Sequence, residues 1–199
     1  MGKSVVLGCL VVVLVGVLIV GGLAAGAYNR LNAADQAVSA GWAQVENVYQ
    51  RRADLIPNLV ETVKGAANFE KDTLTAVIQA RASATQVKLD TNSIKDPAAF
   101  EKFQKAQDGL SSALSRLLVT VEKYPDLKAN ANYLSLQAQL EGTENRISVE
   151  RGRFNESTQT YNTLRKSFPT VIVASFAGFK ERPYFKGAEG SEKPPAVKF

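Results

Sequence analysis

The residue types that usually carry enzyme chemistry are scarce in this chain. It contains no histidine, the commonest general base and metal ligand, and its single cysteine, Cys9, lies inside an apolar run. One cysteine forms no disulfide, zinc cluster or cysteine–histidine nucleophile within the chain. The acids Glu46, Glu61, Glu70 and Glu101 are scattered along predicted helical surfaces, where carboxylates are usually only solvated. Without a glycine-rich phosphate loop or a metal-ligand spacing, we predict no catalytic, cofactor-binding or metal-binding residue and no cofactor.

The composition favours one folded domain with an attached segment. The chain has 199 residues, of which 45% are hydrophobic, so a buried core is available. Its net charge of +5 is spread along the sequence, without the run of about five or six like charges that is typical of a nucleic-acid-binding tail. We therefore predict no nucleic-acid partner and no small-molecule substrate.

An uncharged apolar stretch covers residues 5–27, slightly more than the ~20 residues that a helix needs to cross ~30 Å of hydrocarbon. We predict that residues 1–27 form a transmembrane anchor. A cleaved signal peptide is an alternative, because the residues AGA precede Tyr28, although the apolar core exceeds the usual ~7–15 residues of a signal. The residues VLGC ending at Cys9 resemble a lipid-attachment box, but too few residues precede them for an export signal.

The orientation of the anchor is weakly encoded. Lys3 lies before the apolar stretch and Arg30 soon after it, so the counts of flanking positive charges are nearly equal. We favour a short cytoplasmic N-terminus with the rest of the chain outside. Gly22 and Gly26 form a GxxxG pair that would let two anchors approach closely, although such a pair also arises by chance.

The residues after the anchor repeat with helical periodicity. Two heptad tracks continue over about five heptads and predict one long helix that ends near residues 65–68. One track holds Tyr28, Asp35, Trp42, Tyr49, Ile56 and Val63, and the other holds Leu31, Val38, Val45, Arg52, Leu59 and Ala66.

Three further helices follow from the same spacing. We predict a second helix over residues 69–88, a third that starts at Asp96-Pro97 and stops before Pro125, and a fourth from Tyr133 to Phe168. No part of this region alternates like a half-buried strand. The fold class is therefore all-α, with an antiparallel, coiled-coil-like four-helix bundle over residues 28–168. The two long helices are expected to form a stalk at the membrane that carries a four-helix head.

Pro57 and Arg52 are unusual within the first bundle helix. Pro57 follows a seam position, so its ring is expected to face solvent and to bend the helix over its core, leaving the carbonyl of Ala53 without its partner. Arg52 occupies the seam, where a charge needs an acceptor, and the antiparallel register places Glu141 and Glu144 within reach. Seam polar residues either fix the register of the bundle or form a polar binding spot, and Asp35 and Glu150 belong to the same class.

Residues 169–186 form a second apolar cluster, too short to span a bilayer and followed by basic residues. If the fourth helix returns to the membrane, this segment reaches the bilayer surface, where aromatic and basic residues are common. Alternatively it caps the base of the bundle or joins a neighbouring subunit. Residues 187–199 are predicted to be a disordered tail. The cluster consists of Val171, Ile172, Val173, Phe176, Phe179, Tyr184 and Phe185, with Lys180, Arg182 and Lys186 as its basic residues.

Several long blocks of the chain resemble the LemA family of bacterial membrane proteins. They are YNRL at Tyr28, WAQVENVYQRRADLIPNLVETVKG at Trp42, AR at Ala80, YPDLKANANYLSLQAQLEGTENRISVERGRFNESTQTYN at Tyr124 and SFPTVIVASFAGFKERPYF at Ser167. The resemblance implies a single N-terminal membrane helix and a helical, coiled-coil-like domain, with no established enzymatic activity. This chain departs from the family at Glu150, where members often have a short aliphatic residue.

These features predict a non-enzymatic, membrane-anchored helical scaffold or adaptor of the bacterial cell envelope. It would self-assemble into a homo-oligomer or recruit other envelope proteins. We expect a single-pass protein of the inner (cytoplasmic) membrane, with its helical domain on the periplasmic side. The alternative is a lipid-surface-binding module that acts through the C-terminal apolar segment.

Overall fold

A computed structural model describes residues 2–65, 69–90 and 93–187. Within those ranges the chain is helical and has no strand, so the predicted all-α class is confirmed. A short 3-10 turn at Ser93–Lys95 lies between the second and third helices. The six α-helices are α1 (Gly2–Lys64), α2 (Lys71–Gln86), α3 (Pro97–Val121), α4 (Pro125–Lys128), α5 (Ala131–Lys166) and α6 (Thr170–Phe176).

The first helix joins the apolar N-terminal stretch to the bundle without a break. α1 has 63 residues and is therefore about 95 Å long, at about 1.5 Å per residue. Its residues are exposed from Leu7 to Gly26, and from there on Ala27 and Leu31 are the first to be buried. It is the one helix in the described part of the chain that is long and apolar enough to cross a membrane. The anchor and the first bundle helix are thus a single element.

α1 and α5 form an antiparallel pair that runs the length of the bundle. Arg52 contacts Glu144, Tyr49 contacts Arg151, and the Cα of Phe154 lies beside Gly41. Residue numbers therefore rise along α5 as they fall along α1. Because α5 returns towards the apolar stretch, we call that end of the bundle the base and the opposite end the head.

Local signals explain where the helices begin. The side chain of Asp96 accepts from the backbone N–H of Ala98 at 3.0 Å, and Pro97 is the first residue of α3, as predicted. Asn130 caps α5 in the same way, accepting from the N–H groups of Asn132 and Tyr133. α2 falls inside the predicted range of 69–88, whereas α4, α6 and the 3-10 turn were not predicted. They are short, and one turn of helix shows little periodicity.

The core has two parts. The head cluster joins Ile56, Leu59 and Val63 of α1 to residues of the other three long helices, including Leu117 of α3 and Leu140 of α5. The base cluster is aromatic and centres on Trp42, whose indole N–H donates to the carbonyl of Leu89 at 3.2 Å. Four rings surround the indole with centroids 5.2–6.2 Å away, namely those of Phe100, Phe103, Phe154 and Phe185.

The seam prediction holds for most positions of α1. Nearly every seam residue in the described ranges is buried, while Tyr28 is exposed and Asp35 is half-buried. Ala66 and most of the predicted helix end at 65–68 lie outside the described residues, as does the tail beyond Gly187. The expectation of a bare two-helix stalk at the base was wrong, because α6 and the residues after it cover α1 and α5 there.

Candidate functional site

Arg81 of α2 takes over the hydrogen bond that Pro57 removes from α1. Pro57 is exposed inside the helix, as predicted, and has no N–H for the carbonyl of Ala53 four residues earlier. The Nε of Arg81 donates to that carbonyl at 2.9 Å. Since Ala53 is only 5% exposed, its carbonyl would otherwise be a buried acceptor without a partner. The proline in α1 and the arginine in α2 therefore form one structural unit.

Arg52 connects α1 to α3 and α5 through a buried network. The side chain is 1% exposed and donates from Nη1 to Glu144 Oε2 at 3.0 Å and to Ser111 Oγ at 2.7 Å. Its Nη2 donates to Gln107 Oε1 at 2.5 Å. Of the two predicted acceptors Glu144 is confirmed, whereas Glu141 accepts from a neighbour on α5 instead. A buried charge on α1 that is held by side chains of α3 and α5 fixes the register of these three helices.

Arg151 ties α5 to α1 and α3 one level closer to the base. Its Nε donates to the Tyr49 hydroxyl at 2.5 Å and its Nη2 donates to Asp108 Oδ1 at 3.0 Å. Burial raises the pKa of the Tyr49 phenol, and the charge of Arg151 opposes that shift only in part. The phenol is therefore neutral at ordinary pH, which suits a structural hydrogen-bond acceptor and not a nucleophile.

The seam acid Asp35 accepts from Arg182, which lies in the segment predicted either to reach the membrane surface or to cap the base. Arg182 is 2% exposed and donates from Nε and Nη2 to Asp35 Oδ1, at 3.0 and 2.5 Å. Its guanidinium also lies 5.8 Å from the centre of the Tyr161 ring. Arg182 therefore faces the bundle and not lipid, in agreement with the alternative that this segment caps the base. Lys180 and Lys186 are exposed.

Residues 177–187, here called the strap, lie along the base of the bundle and are held by side-chain amides. Each of three amides donates to a strap carbonyl and accepts from the N–H of the same strap residue, as a neighbouring β-strand would. At these three strap residues the backbone groups are therefore paired without a sheet. The pairs are Asn162 with Arg182, Asn155 with Phe185, and Gln104 with Lys186, at 2.8–3.2 Å.

The two sides of α6 differ in burial. Thr170 and Ala174 are buried against α1 and α5, and Ala174 belongs to the base cluster. Phe176 on the other side is 91% exposed, and Phe168 just before the helix is 82% exposed. The predicted apolar segment is thus split between a strap that caps the base, one of the alternatives considered, and an α6 face that points away from the bundle.

Three arginines of the described ranges join one element of the bundle to another. Arg52, Arg151 and Arg182 each donate to an acid on another element. Within those ranges no three histidine, cysteine or acidic side chains come close enough to hold a metal ion. What the arrangement does is lock α1, α3, α5 and the strap in one register.

A family profile agrees with the architecture. The profile described as "LemA family" matches residues 41–199, which contain most of the bundle, α6 and the strap. The chain belongs to the LemA family. The resemblance of its sequence blocks is thereby confirmed. The family description names no reaction.

Three curated relatives are similar to parts of the chain. "Magnetosome protein MamQ" of Magnetospirillum gryphiswaldense is 32% identical over 99 residues, 50% of this chain and 36% of that protein. "Magnetosome protein MamQ 2" of Paramagnetospirillum magneticum is 32% identical over 89 residues, 45% of this chain and 33% of that protein. "Protein LemA" of Metamycoplasma hominis is 23% identical over 145 residues, 73% and 62% of the two chains. The present chain spans about a third of the length of the two magnetosome proteins that it matches.

Proposed function

We propose that this LemA family protein is a non-enzymatic, membrane-anchored scaffold or adaptor of the bacterial cell envelope. It holds a rigid helical bundle at a set distance from the bilayer and there assembles with copies of itself or with other envelope proteins. The observation that carries the proposal is the continuity of α1, which leads from an exposed, uncharged stretch directly into the core of the bundle.

The continuity of α1 matters because a helix without a hinge holds the bundle in a fixed place relative to the anchor. A flexible linker would let the bundle move independently of the anchor, whereas a single α-helix fixes the distance and rotation of the bundle relative to the anchor. The buried Arg52 and Arg182 and the half-buried Arg151 then tie α3, α5 and the strap to α1, so these elements follow the anchor. Rigid presentation of a surface is what a scaffold requires.

The proposal includes a location. The anchor is expected to cross the inner (cytoplasmic) membrane once, with the bundle on the periplasmic side, because long domains translocate largely regardless of the charges that flank an anchor. The proposal also treats the acids and arginines of the bundle as structural, in line with the ion pairs and amide contacts that they make.

The bundle offers apolar side chains for a protein partner. Ile78 of α2, Val119 of α3 and Val149 of α5 are 52–68% exposed. Large aliphatic side chains on the surface are common singly, so their role needs a direct test. Photo-reactive residues are placed at these three positions in cells, with Lys102 on α3 as an exposed polar control.

The scaffold proposal predicts discrete crosslinked species from at least one apolar position and few from Lys102. The species contain either a second copy of the chain or another envelope protein. Only uncrosslinked protein at all four positions, in membranes where the photo-reactive residue is shown to be incorporated, would contradict the proposal.

A further inference from the structure

The exposed face of α6 is too apolar to be an ordinary surface. Ile172 and Phe176 lie one helical turn apart and are 50% and 91% exposed. Phe168, which precedes the helix, is 82% exposed, and Val171 is 38% exposed. Four large apolar side chains within nine positions of a short segment form a contiguous patch of the kind that marks an interaction site.

The position of α6 along α1 indicates what covers this patch. The inner side of α6 packs in the base cluster with Leu31, only four residues beyond Ala27. Four residues correspond to about 6 Å of helix. The interfacial layer between hydrocarbon and water is of similar thickness, about 5–7 Å on each side of a bilayer. If residues 5–27 of α1 occupy the hydrocarbon, α6 therefore lies at the level of the lipid headgroups.

Neighbouring residues suit the same environment. Tyr28 follows the apolar stretch directly, is 46% exposed and contacts Phe179 of the strap with ring centroids 5.7 Å apart. Tyrosine is enriched at this depth because its ring is apolar and its hydroxyl is polar. Arg30 and Lys180 are exposed at the same end of the bundle, where anionic headgroups would attract them.

We propose that the outer face of α6, formed by Phe168, Val171, Ile172 and Phe176, inserts into the interfacial layer of the bilayer that α1 crosses. The occupant is lipid because the patch continues from the membrane-spanning stretch and lies at its level. The chain then has two lipid contacts, a spanning helix and an interfacial helix at a fixed place beside it. Together they set the tilt and rotation of the bundle relative to the bilayer, which a spanning helix alone leaves free. This inference depends on membrane anchoring by α1 but on no protein partner.

Quenching by brominated lipid tests the depth of α6 directly. Full-length protein carrying Phe176→Trp is placed in vesicles of phosphatidylcholine and phosphatidylglycerol, with and without bromine on the acyl chains. Trp42 is the only tryptophan of the chain and is buried in the base cluster, so the wild-type spectrum supplies the background. Phe176 is so exposed that the substitution leaves the core unchanged.

Two further variants make the result specific. Leu14→Trp reports whether α1 is in the hydrocarbon, and Leu14 is also exposed in the structure, at 60%. Val149→Trp is the matched water-side control, since it lies on α5 near the level of Tyr49, about 33 Å beyond Ala27 along α1. All three positions accept an indole without disturbing buried contacts.

The expected result is strong quenching and a blue-shifted emission for Phe176→Trp and Leu14→Trp, and no quenching for Val149→Trp. Quenching of Leu14→Trp without quenching of Phe176→Trp would overturn the α6 proposal and leave the anchor intact. A blue shift of Phe176→Trp without quenching would mean that protein, such as a second copy, covers the patch, and would also overturn it. Absence of quenching at both positions would remove the anchor as well. Equal quenching of Val149→Trp would show that the bundle lies flat on the bilayer, which contradicts an upright bundle that contacts lipid only at its base, through α6.

Discussion

The pairing of Pro57 with Arg81 makes a quantitative prediction about stability. Replacing Arg81 by Met keeps most of the apolar stem but removes the Nε donor from the Ala53 carbonyl. Because Pro57 has no N–H, the carbonyl is then left without a protein donor in a nearly buried position. An unsatisfied buried acceptor costs about 1–3 kcal/mol, so we expect Arg81→Met to lower the free energy of unfolding by about 2 kcal/mol.

The same substitution is expected to cost much less when the proline is absent. In a Pro57→Ala background the new backbone N–H donates to the Ala53 carbonyl as in any α-helix. Arg81→Met then removes only a second, redundant donor, at about 0.5–1 kcal/mol. The double-mutant cycle should therefore give a coupling free energy of about 1 kcal/mol or more between residues in different helices.

The assay is equilibrium unfolding of the full-length chain in detergent, followed by far-ultraviolet circular dichroism. Arg116→Met on α3 is the control, because it removes an arginine from an exposed position and should change stability by no more than about 0.5 kcal/mol. Equal costs of Arg81→Met in the two backgrounds would refute the reasoning, since the Ala53 carbonyl would then not depend on the arginine.

Three more outcomes are expected. Asp35→Asn leaves Arg182 buried without a negative partner, so it should lower the free energy of unfolding by about 3–5 kcal/mol and expose the strap to protease. Equilibrium unfolding and limited proteolysis measure these two effects. An unchanged digestion pattern would count against the pair as the main contact that holds the strap. Glu144→Ala should cost only about 1–2 kcal/mol in the unfolding assay, because Glu144 is half-exposed and Arg52 keeps its bonds to α3. The raised pKa of Tyr49 means that folding favours the neutral phenol, so this contribution is complete below the ordinary tyrosine pKa and is lost as pH rises through the folded-state pKa. Burial also raises the pKa of Tyr133 and of Tyr161, so alkaline titration by ultraviolet absorbance should show several late-ionising tyrosines. One of them should disappear in Tyr49→Phe, and an unchanged titration would contradict this assignment.

The long helices could be predicted because their signals are local. The three-and-four spacing, the Asp96-Pro97 start and the outward position of Pro57 depend only on neighbours in sequence. The contact of Arg52 with Glu144 followed from the antiparallel register of two long helices. Such a register needs only a common starting level, which the return of α5 to the base supplies.

The contacts of the strap could not be predicted in the same way. Residues 177–187 have no period, so no register connects Arg182 to Asp35, which precedes it by most of the chain. Asn155 and Asn162, which hold the strap, look in sequence like ordinary polar residues on a helix surface. One available signal was the need of Asp35, a seam acid, for a cation on some other element.

The continuity of α1 and the existence of α6 were missed for different reasons. Apolar spans and bundle helices are recognised by different patterns, and the helical residues between Leu23 and Leu31 belong to both. α6 is a short helix with one buried and one exposed apolar side. Its sequence shows a continuous apolar run, which identifies neither a helix nor its direction.

The most direct test of the scaffold proposal is the mass of the native particle. The tagged full-length protein is extracted from its own membranes in a mild detergent, and the protein mass of the particle is measured by light scattering with detergent subtracted. One protomer has a mass of 21.5 kDa. The proposal predicts a defined particle above that mass, made of further copies or of partner proteins. A homogeneous particle of one protomer would contradict it.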